Sequence, residues 1–404
     1  ILMSFVTVKP KETLGFLNKY MGIIGEFISS KYKAVLLVSM FVSILITAAI
    51  TRNEINDDFL KYFDEDITFR SDTDWISQNL TGLNQIQFVM QSKKPNGISD
   101  PEFLNKLETF SNWGRNHEVV TNVQSITDVF KRLNRDLNGG NEQFYRIPES
   151  RELSAQYLLL YELSLPFGLD LNNQIDIDKS STQVIVTIDD LTTNQIKAWI
   201  REEETFLESE LGMDAVAAGP TVMFSYIAER NIQGMLWGTF YAVLIISGII
   251  LIALRDLRLG LLSLVPNLLP AALAFGVWGL FVGQVNMAVA VVTGMALGVI
   301  VDDSVHFLTK YQLARKNEKL SAERAVVSAF SGVGTALLVT TIILVAGFAI
   351  LAQSSFGLNS AMASLTAIAL FMALVADLTI LPALLILLDR KMNKSNTQEN
   401  TVTA

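Results

Sequence analysis

Two adjacent aspartates, Asp302 and Asp303, and a histidine shortly after them, His306, lie in an otherwise apolar segment long enough to cross a membrane. The segment covers residues 286–308 and reads NMAVAVVTGMALGVIVDDSVHFL. A charged carboxylate near the centre of a bilayer costs roughly 2.5–3.5 kcal/mol on insertion scales, so aspartates there are expected to face the interior of a helix bundle or water. Because such carboxyl groups can gain and lose protons, the pattern is typical of a transporter coupled to protons or other ions.

The spacing of these groups determines which neighbours they can reach. Asp302 and His306 share a helix face, since residues four positions apart are neighbours on a helix. Asp303 lies about 100° further round, so the pair can address two neighbouring helices. His306 is either a relay partner and counter-charge for the pair or an interfacial histidine near the helix end. Two close carboxylates titrate as a coupled pair, so the sequence assigns the proton to neither aspartate alone.

Polar residues in the other apolar segments are candidates for supporting roles. The hydroxyls of Ser304, Thr340 and Thr341 can pass protons or bond to an aspartate, or they can bond back to a carbonyl of the preceding turn. Asp377 precedes Pro382 by five residues. It can therefore pair with the other aspartates or bond to backbone groups that a proline kink frees. We expect a structural or gating role for Asp377.

Two further patterns concern helix shape and packing. Asn267 lies between Pro266 and Pro270, which predicts a kinked helix start with a capping side chain. Gly294 and Gly298 form a small-residue face that allows a neighbouring helix to approach closely.

Hydropathy predicts six membrane segments of about the 20 residues that a span requires. They are residues 34–50, 234–254, 259–282, 286–308, 325–351 and 358–388. Half of the chain is hydrophobic and 18% is charged, which is typical of a membrane protein with a sizeable soluble part.

The basic residues of the short loops predict the orientation. They are Lys9, Lys11, Lys19, Lys31 and Lys33 before the first segment, Arg255 and Arg258 after the second, Lys310, Arg315, Lys316, Lys319 and Arg324 after the fourth, and Arg390, Lys391 and Lys394 after the sixth. The opposite short loops, near 283–284 and 353–357, carry no lysine or arginine. The positive-inside rule then places both termini in the cytoplasm. We expect the chain in the inner or plasma membrane of the cell.

This orientation predicts five regions. Residues 1–33 are an amphipathic cytoplasmic segment, 34–50 the first membrane helix, 51–233 an extracytoplasmic domain, 234–388 a bundle of five membrane helices and 389–404 a disordered cytoplasmic tail. In the domain, 85–91 and 183–188 are predicted strands, and 100–116, the region around Val129 and 194–211 are predicted helices with Thr192 or Thr193 as the last N-cap. The strand–helix–strand order occurs twice, which predicts an α+β fold of ferredoxin-like type.

Several classes of function are disfavoured. The net charge is −9 and no strong basic stripe is visible, so we expect no binding to nucleic acid. The chain has no cysteine, and its histidines and carboxylates lack the spacing of a zinc site, so no metal is expected. No P-loop, dinucleotide fingerprint or nucleophile motif occurs. We therefore expect a secondary active transporter rather than an enzyme, with no cofactor beyond a coupling ion, a proton or sodium.

Four stretches resemble one family. They are NDDFLKYFDED at 56–66, VPNLLPA at 265–271, TGMALGVIVDDSVHFLTKY at 293–311 and VADLTILPALLILLD at 375–389. Together with one membrane segment, an outside domain and five further segments, they resemble the half-unit of the resistance–nodulation–division (RND) superfamily, in its large-membrane-protein (MMPL) branch. The five-helix bundle also resembles the sterol-sensing domain (SSD) of Patched-like proteins.

The resemblance implies a function. It implies a proton relay at Asp302 and Asp303, a porter-like outside domain, and efflux by proton antiport of hydrophobic or amphiphilic molecules such as lipids. RND proteins usually carry two six-helix units, so we expect the C-terminal half of a longer protein or a half-size member that forms a homo-oligomer. Multidrug members use a lysine of another helix as counter-charge, whereas the fifth and sixth segments here contain no lysine or arginine. A partner half is the alternative source.

Two alternatives remain open on the sequence. The SecD and SecF half-units couple a similar acidic helix to protein export, and their outside domain would bind unfolded polypeptide. A lipid- or sterol-sensing module would not transport at all, and it would bind lipid normally with both aspartates changed to asparagine.

Overall fold

The structure, a computed structural model, describes residues 15–166, 170–254, 260 and 262–402. Its helices are α1 Gly15–Ser30, α2 Tyr32–Ala48, α3 Thr68–Asn79, α4 Pro101–Arg115, α5 Ile126–Leu137, α6 Arg151–Ser164, α7 Thr193–Ser209, α8 Pro220–Leu254, α9 Leu264–Phe281, α10 Met287–Lys316, α11 Ala322–Ala329, α12 Thr335–Leu351 and α13 Gly357–Val402. Its strands are β1 Glu54–Ile55, β2 Asn84–Gln91, β3 Val120–Gln124, β4 Ser181–Ile188, β5 Ala215–Ala218 and β6 Gln284–Val285.

Six helical spans among the described residues are long and apolar enough to cross a membrane. They are Tyr32–Arg52, Pro220–Ile252, Leu264–Phe281, Met287–Lys316, Ala322–Leu351 and Gly357–Arg390. The prediction of a helical polytopic membrane protein is thereby confirmed. The predicted start of the third segment at Leu259, the loop residues Arg255 and Arg258, and residues 1–14 of the N-terminal segment lie outside the described residues.

The chain forms two compact units. One, the helical unit, comprises Ile1–Ile55 and Asn231–Ala404, and the other, the α+β unit, comprises Asn56–Arg230.

Helix α13 is the central element of the helical unit and packs against α2, α9, α10 and α12. Its buried face is rich in alanine, including Ala369, Ala373 and Ala376. Small side chains let helices approach closely in a membrane, where packing rather than water exclusion drives helix association. The helix continues to Val402, whereas the sequence predicts a disordered tail from residue 389. No glycine or proline follows Pro382 to end it.

Two glycines of α9 let this helix approach α2 closely. A Cβ atom on Gly276 would overlap the carbonyl oxygen of Ile46, and one on Gly279 would overlap that of Ala49. Helix α9 therefore packs on α2 at backbone distance, and Asn53 Nδ2 donates a hydrogen bond of 2.8 Å to the Phe275 carbonyl. Sequence reasoning did not single out these glycines.

The fifth span contains a π-helical turn, Phe330–Gly334, between α11 and α12, where the sequence predicts one continuous helix. Phe330 is fully buried and packs edge-on against Phe307 of α10, with 5.3 Å between ring centroids. Helix α1 also packs here, since a Cβ atom on its Gly25 would lie 3.1 Å from the Phe330 ring. The wider turn accommodates this aromatic side chain, and π-turns recur at functional sites.

The α+β unit is built on a four-stranded antiparallel sheet with strand order β3-β4-β2-β5. The predicted strands and helices of this region are confirmed within a few residues. Phe88 of β2 pairs with Val184 of β4, and both side chains are fully buried. Thr192 is the N-cap of α7, and its N–H donates to Gln195 Oε1 at 3.0 Å.

Candidate functional site

Helix α10 carries the acidic pair. Asn286 caps its start, because Oδ1 of that side chain accepts the N–H of Val289 at 3.0 Å. The helix then runs without a break to Lys316. Successive residues turn by about 100°, so Asp302, Asp303 and Ser304 are directed to three different surroundings.

Asp302 lies on the outer face of the helical unit. His306 Nε2 is 3.4 Å from Asp302 Oδ1, and the two side chains are 63% and 72% exposed. The predicted pairing through the helix face therefore exists, but it does not face the bundle interior of this chain. In a membrane this face meets lipid, water or another protein.

Asp303 points between helices α10 and α12. Its side chain is partly buried, and Thr341 Oγ1 of α12 donates a hydrogen bond to Asp303 Oδ2 at 3.3 Å. Thr341 is itself buried. The adjacent Thr340 is exposed and bonds back to its own helix, at 2.9 Å to the Ala336 carbonyl. Of the two threonines that sequence analysis names, the structure thus brings only Thr341 to the acidic pair.

Ser304 points to a third carboxylate, Asp377 of α13. Ser304 Oγ donates to Asp377 Oδ1 at 2.8 Å, and the two residues are 0% and 1% exposed. The other oxygen, Asp377 Oδ2, has no hydrogen-bond partner among the described residues. A buried carboxyl group with one oxygen unpaired is far less costly as a neutral acid than as an anion.

The three carboxylates therefore form a series of increasing burial. Asp302 is exposed, Asp303 is intermediate and Asp377 is enclosed. Hydrogen bonds of two of them, Asp303 and Asp377, connect the three helices α10, α12 and α13. A proton that binds in such a series changes both the charge in an apolar region and the hydrogen bonds between helices. The arrangement can therefore couple proton binding to helix packing.

The other named residues lie apart from these contacts. Asn267 is fully buried on α9, and neither its Nδ2 nor its Oδ1 has a partner among the described residues. It does not cap the helix start, because the N-cap is Ser263 and α9 already begins at Leu264. Pro266 and Pro270 are also buried within α9, and Pro382 lies inside α13.

The glycine face of α10 makes only ordinary contacts. A Cβ atom on Gly294 would lie 3.5 Å from Thr239 Oγ1 of α8, and one on Gly298 would meet no atom within 4 Å. Within the described part of the chain, the close helix approach predicted at these positions occurs instead at Gly276 and Gly279. No group of three or more metal-ligating side chains occurs among the described residues.

One titratable group of the α+β unit is also unusual. Glu203 of α7 is 0% exposed, and neither carboxylate oxygen has a partner among the described residues. Burial raises the pKa of Glu203 to about 8. Sequence reasoning missed this residue, because Glu203 lies in the acidic run REEE, which is typical of a solvated helix face.

Comparison with known proteins assigns the chain to a family. The model of the MMPL family matches residues 174–403, which include α7, β5, the last five spans and all three carboxylates. The chain is also similar to a putative membrane protein of Methanocaldococcus jannaschii, with 23% identity over 304 residues, or 74% of each chain.

Proposed function

This chain belongs to the MMPL family of membrane transporters, and from that premise we propose that it exports hydrophobic or amphiphilic molecules, such as lipids, by exchange for protons. The coupling protons bind at the carboxylates of the membrane helices, Asp302, Asp303 and Asp377. The observation that carries this proposal is the pair of hydrogen bonds through which Asp303 and Asp377 join α10 to α12 and to α13.

The proposed coupling works through charge and packing. A charged carboxylate in an apolar helix bundle is costly, and protonation removes that cost together with the repulsion between Asp302 and Asp303. Protonation also changes the hydrogen bonds that Asp303 and Asp377 accept from Thr341 and Ser304. Helices α10, α12 and α13 can then repack, and α13 transmits the change because it contacts α2, α9, α10 and α12.

Protons supply the energy by entering from outside. One proton that moves inward across 100 mV releases about 2.3 kcal/mol before any pH gradient is counted. His306 lies at the exposed start of the series beside Asp302 and is proposed to exchange protons with it. Sodium is the alternative ion, and the experiment below separates the two.

The proposed orientation places both termini in the cytoplasm of the cell membrane, because the basic residues of the short loops lie on that side. The α+β unit is then extracytoplasmic and porter-like. Its strand order β3-β4-β2-β5, with helix α4 between β2 and β3 and α7 between β4 and β5, supports a ferredoxin-like description.

A second six-helix unit is the proposed partner. Asp302 and His306 form a pair of ionisable side chains on the outer face of the helical unit. Contact of such a pair with lipid would be costly. A homo-oligomer or another half would cover this face. It would also supply a counter-charge, since the described residues of α12 and α13 include no lysine or arginine within the membrane.

The experiment is gradient-driven transport in proteoliposomes. The probe is a phosphatidylethanolamine with a fluorescent NBD group, and its movement is measured by the fraction that external dithionite quenches. We expect movement that requires an imposed pH gradient, persists without sodium and disappears in the double variant D302N/D303N. Equal movement by a correctly folded double variant would exclude Asp302 and Asp303 from the coupling. A parent protein that moves no probe under any gradient would favour a lipid-sensing module, which does not transport.

A further inference from the structure

We propose that the helical unit holds one acyl chain of an anionic phospholipid in a groove between α2 and α13, with the headgroup at Lys31. The α2–α13 groove has a volume of about 440 Å³, and its lining includes Lys31, Val38, Val42, Ile46, Met372 and Ala376. Nothing in the proton series uses these side chains. The proposal concerns binding alone and does not depend on transport.

The dimensions of the groove fit a single hydrocarbon chain. Its lining residues on α2 extend from Ala34 to Ile46, which is about 18 Å along a helix that rises 1.5 Å per residue. This length is close to one leaflet, about half of a 30 Å hydrocarbon core. The groove is therefore long enough for an acyl chain of one leaflet and is lined by side chains of α2 and α13 along that length.

The walls of the groove favour an apolar occupant. Ser39 Oγ donates to the Val35 carbonyl at 2.7 Å, and Thr379 Oγ1 donates to the Val375 carbonyl at 2.5 Å. Both hydroxyl groups thus donate their hydrogen bonds within their own helices. Ser43 is a third hydroxyl in the lining, and the remaining wall consists mainly of aliphatic side chains, which favour a hydrocarbon chain over a polar occupant.

The charge at one end selects an anionic headgroup. Lys31 is exposed, its Nζ lies 5.4 Å from the Phe27 ring centroid, and no carboxylate of the described residues lies within 4 Å of it. The nearby Arg390 differs, because it pairs with Glu323 at 2.7 Å. Lys31 is therefore available to a lipid phosphate at the level where the groove ends, and basic side chains there are attracted to anionic lipids.

The test counts lipids on the purified chain by native mass spectrometry, after exchange into detergent with equal amounts of phosphatidylglycerol and phosphatidylcholine. We expect one phosphatidylglycerol to be retained preferentially. K31Q should weaken that retention about fivefold, the effect of one basic contact, and K33Q should not. Lys33 is a matched control, because it is exposed nearby but does not line the groove.

A second pair of variants tests the groove itself. V38W fills the groove, whereas L37W adds the same side chain at a neighbouring position that is exposed and does not line it. We expect V38W to lose the retained lipid of either headgroup and L37W to keep it. Equal retention by V38W and L37W, or no preference for phosphatidylglycerol, would overturn the proposal. A change in the number of chains per particle in V38W alone would assign the groove to a second copy and would overturn it as well.

Discussion

Ser304 of α10 donates a hydrogen bond to Asp377 of α13 at 2.8 Å, and both side chains are buried. This bond joins the helix of the acidic pair to the central helix of the bundle. It also leaves Asp377 Oδ2 unpaired among the described residues, so the carboxyl group is half satisfied in its apolar surroundings. Such a group is sensitive to its protonation state, since charge and hydrogen bonding both change when the proton leaves.

S304A should lower stability and transport together. The substitution leaves both oxygens of the buried Asp377 without a partner, at a cost of about 1–3 kcal/mol. The thermal unfolding midpoint in detergent measures the effect. T340A is the matched control, because Thr340 bonds only to its own helix, and it should leave the midpoint almost unchanged. A similar midpoint in S304A and T340A would argue against the bond as a stabilising contact.

D377N should separate stability from transport. The amide keeps an oxygen that accepts the Ser304 hydroxyl, so the midpoint should stay close to that of the parent. It cannot gain or lose a proton, so gradient-driven lipid movement should fall by about a hundredfold, within the range for loss of a proton-transfer group. Parental movement in D377N would show that Asp377 is structural only.

T341V should slow transport several-fold while T340V does not. Thr341 Oγ1 donates to Asp303 Oδ2, and valine has the same shape without the donor. Thr340 is one residue away but exposed and bonded to its own helix. The measurement is the initial rate of probe movement at one pH gradient. If both variants behave alike, the contact between α12 and Asp303 has no part in coupling.

The stability of the α+β unit should fall as pH rises. Glu203 titrates near 4.5 when unfolded, and burial raises its pKa in the folded chain to about 8. Between these values the folded state keeps a proton that the unfolded state has lost, so stability decreases by about 1.4 kcal/mol per pH unit and levels off above pH 8.

The variant E203Q should remove this slope. Unfolding midpoints measured from pH 5 to pH 9 should be lower at high pH for the parent and nearly level for E203Q. E202Q, on the neighbouring exposed glutamate, should keep the parental slope. Parallel curves for the parent and E203Q would contradict the assignment of the slope to Glu203.

N267L should stabilise the chain and reduce transport. Asn267 is buried with both amide atoms unpaired among the described residues, and leucine of similar volume removes a cost of about 1–3 kcal/mol. Native proteins keep such unfavourable groups where function requires them. The unfolding midpoint and the initial transport rate measure the two effects. A lower midpoint in N267L would mean that the amide has a stabilising partner.

The six spans can be predicted from the sequence, because the length of an apolar segment is a local property of the chain. The strands 84–91 and 181–188 are also readable, from their alternating and β-branched residues. The Ser304–Asp377 bond is not, because its partners are 73 positions apart and meet only when α13 packs against α10.

Side-chain direction is a second reason why the sequence does not reveal which residues meet in the site. Sequence analysis treats Thr340 and Thr341 alike, yet adjacent helical residues point about 100° apart and only one faces Asp303. The same rotation directs Asp302 outward and Ser304 inward. The sequence pattern therefore predicts a set of candidate residues. The packing of neighbouring helices determines which of them contact one another.

Proton flow through the chain tests the central claim most directly. Proteoliposomes with the pH dye pyranine inside are given an inward-negative voltage with potassium and valinomycin, and lumen pH is followed with and without the NBD-lipid probe. We predict proton entry that depends on the probe in the parent and in T340V and is lost in D303N. Proton entry at the parental rate in a folded D303N, or lipid movement by the parent without any proton entry, would contradict the account.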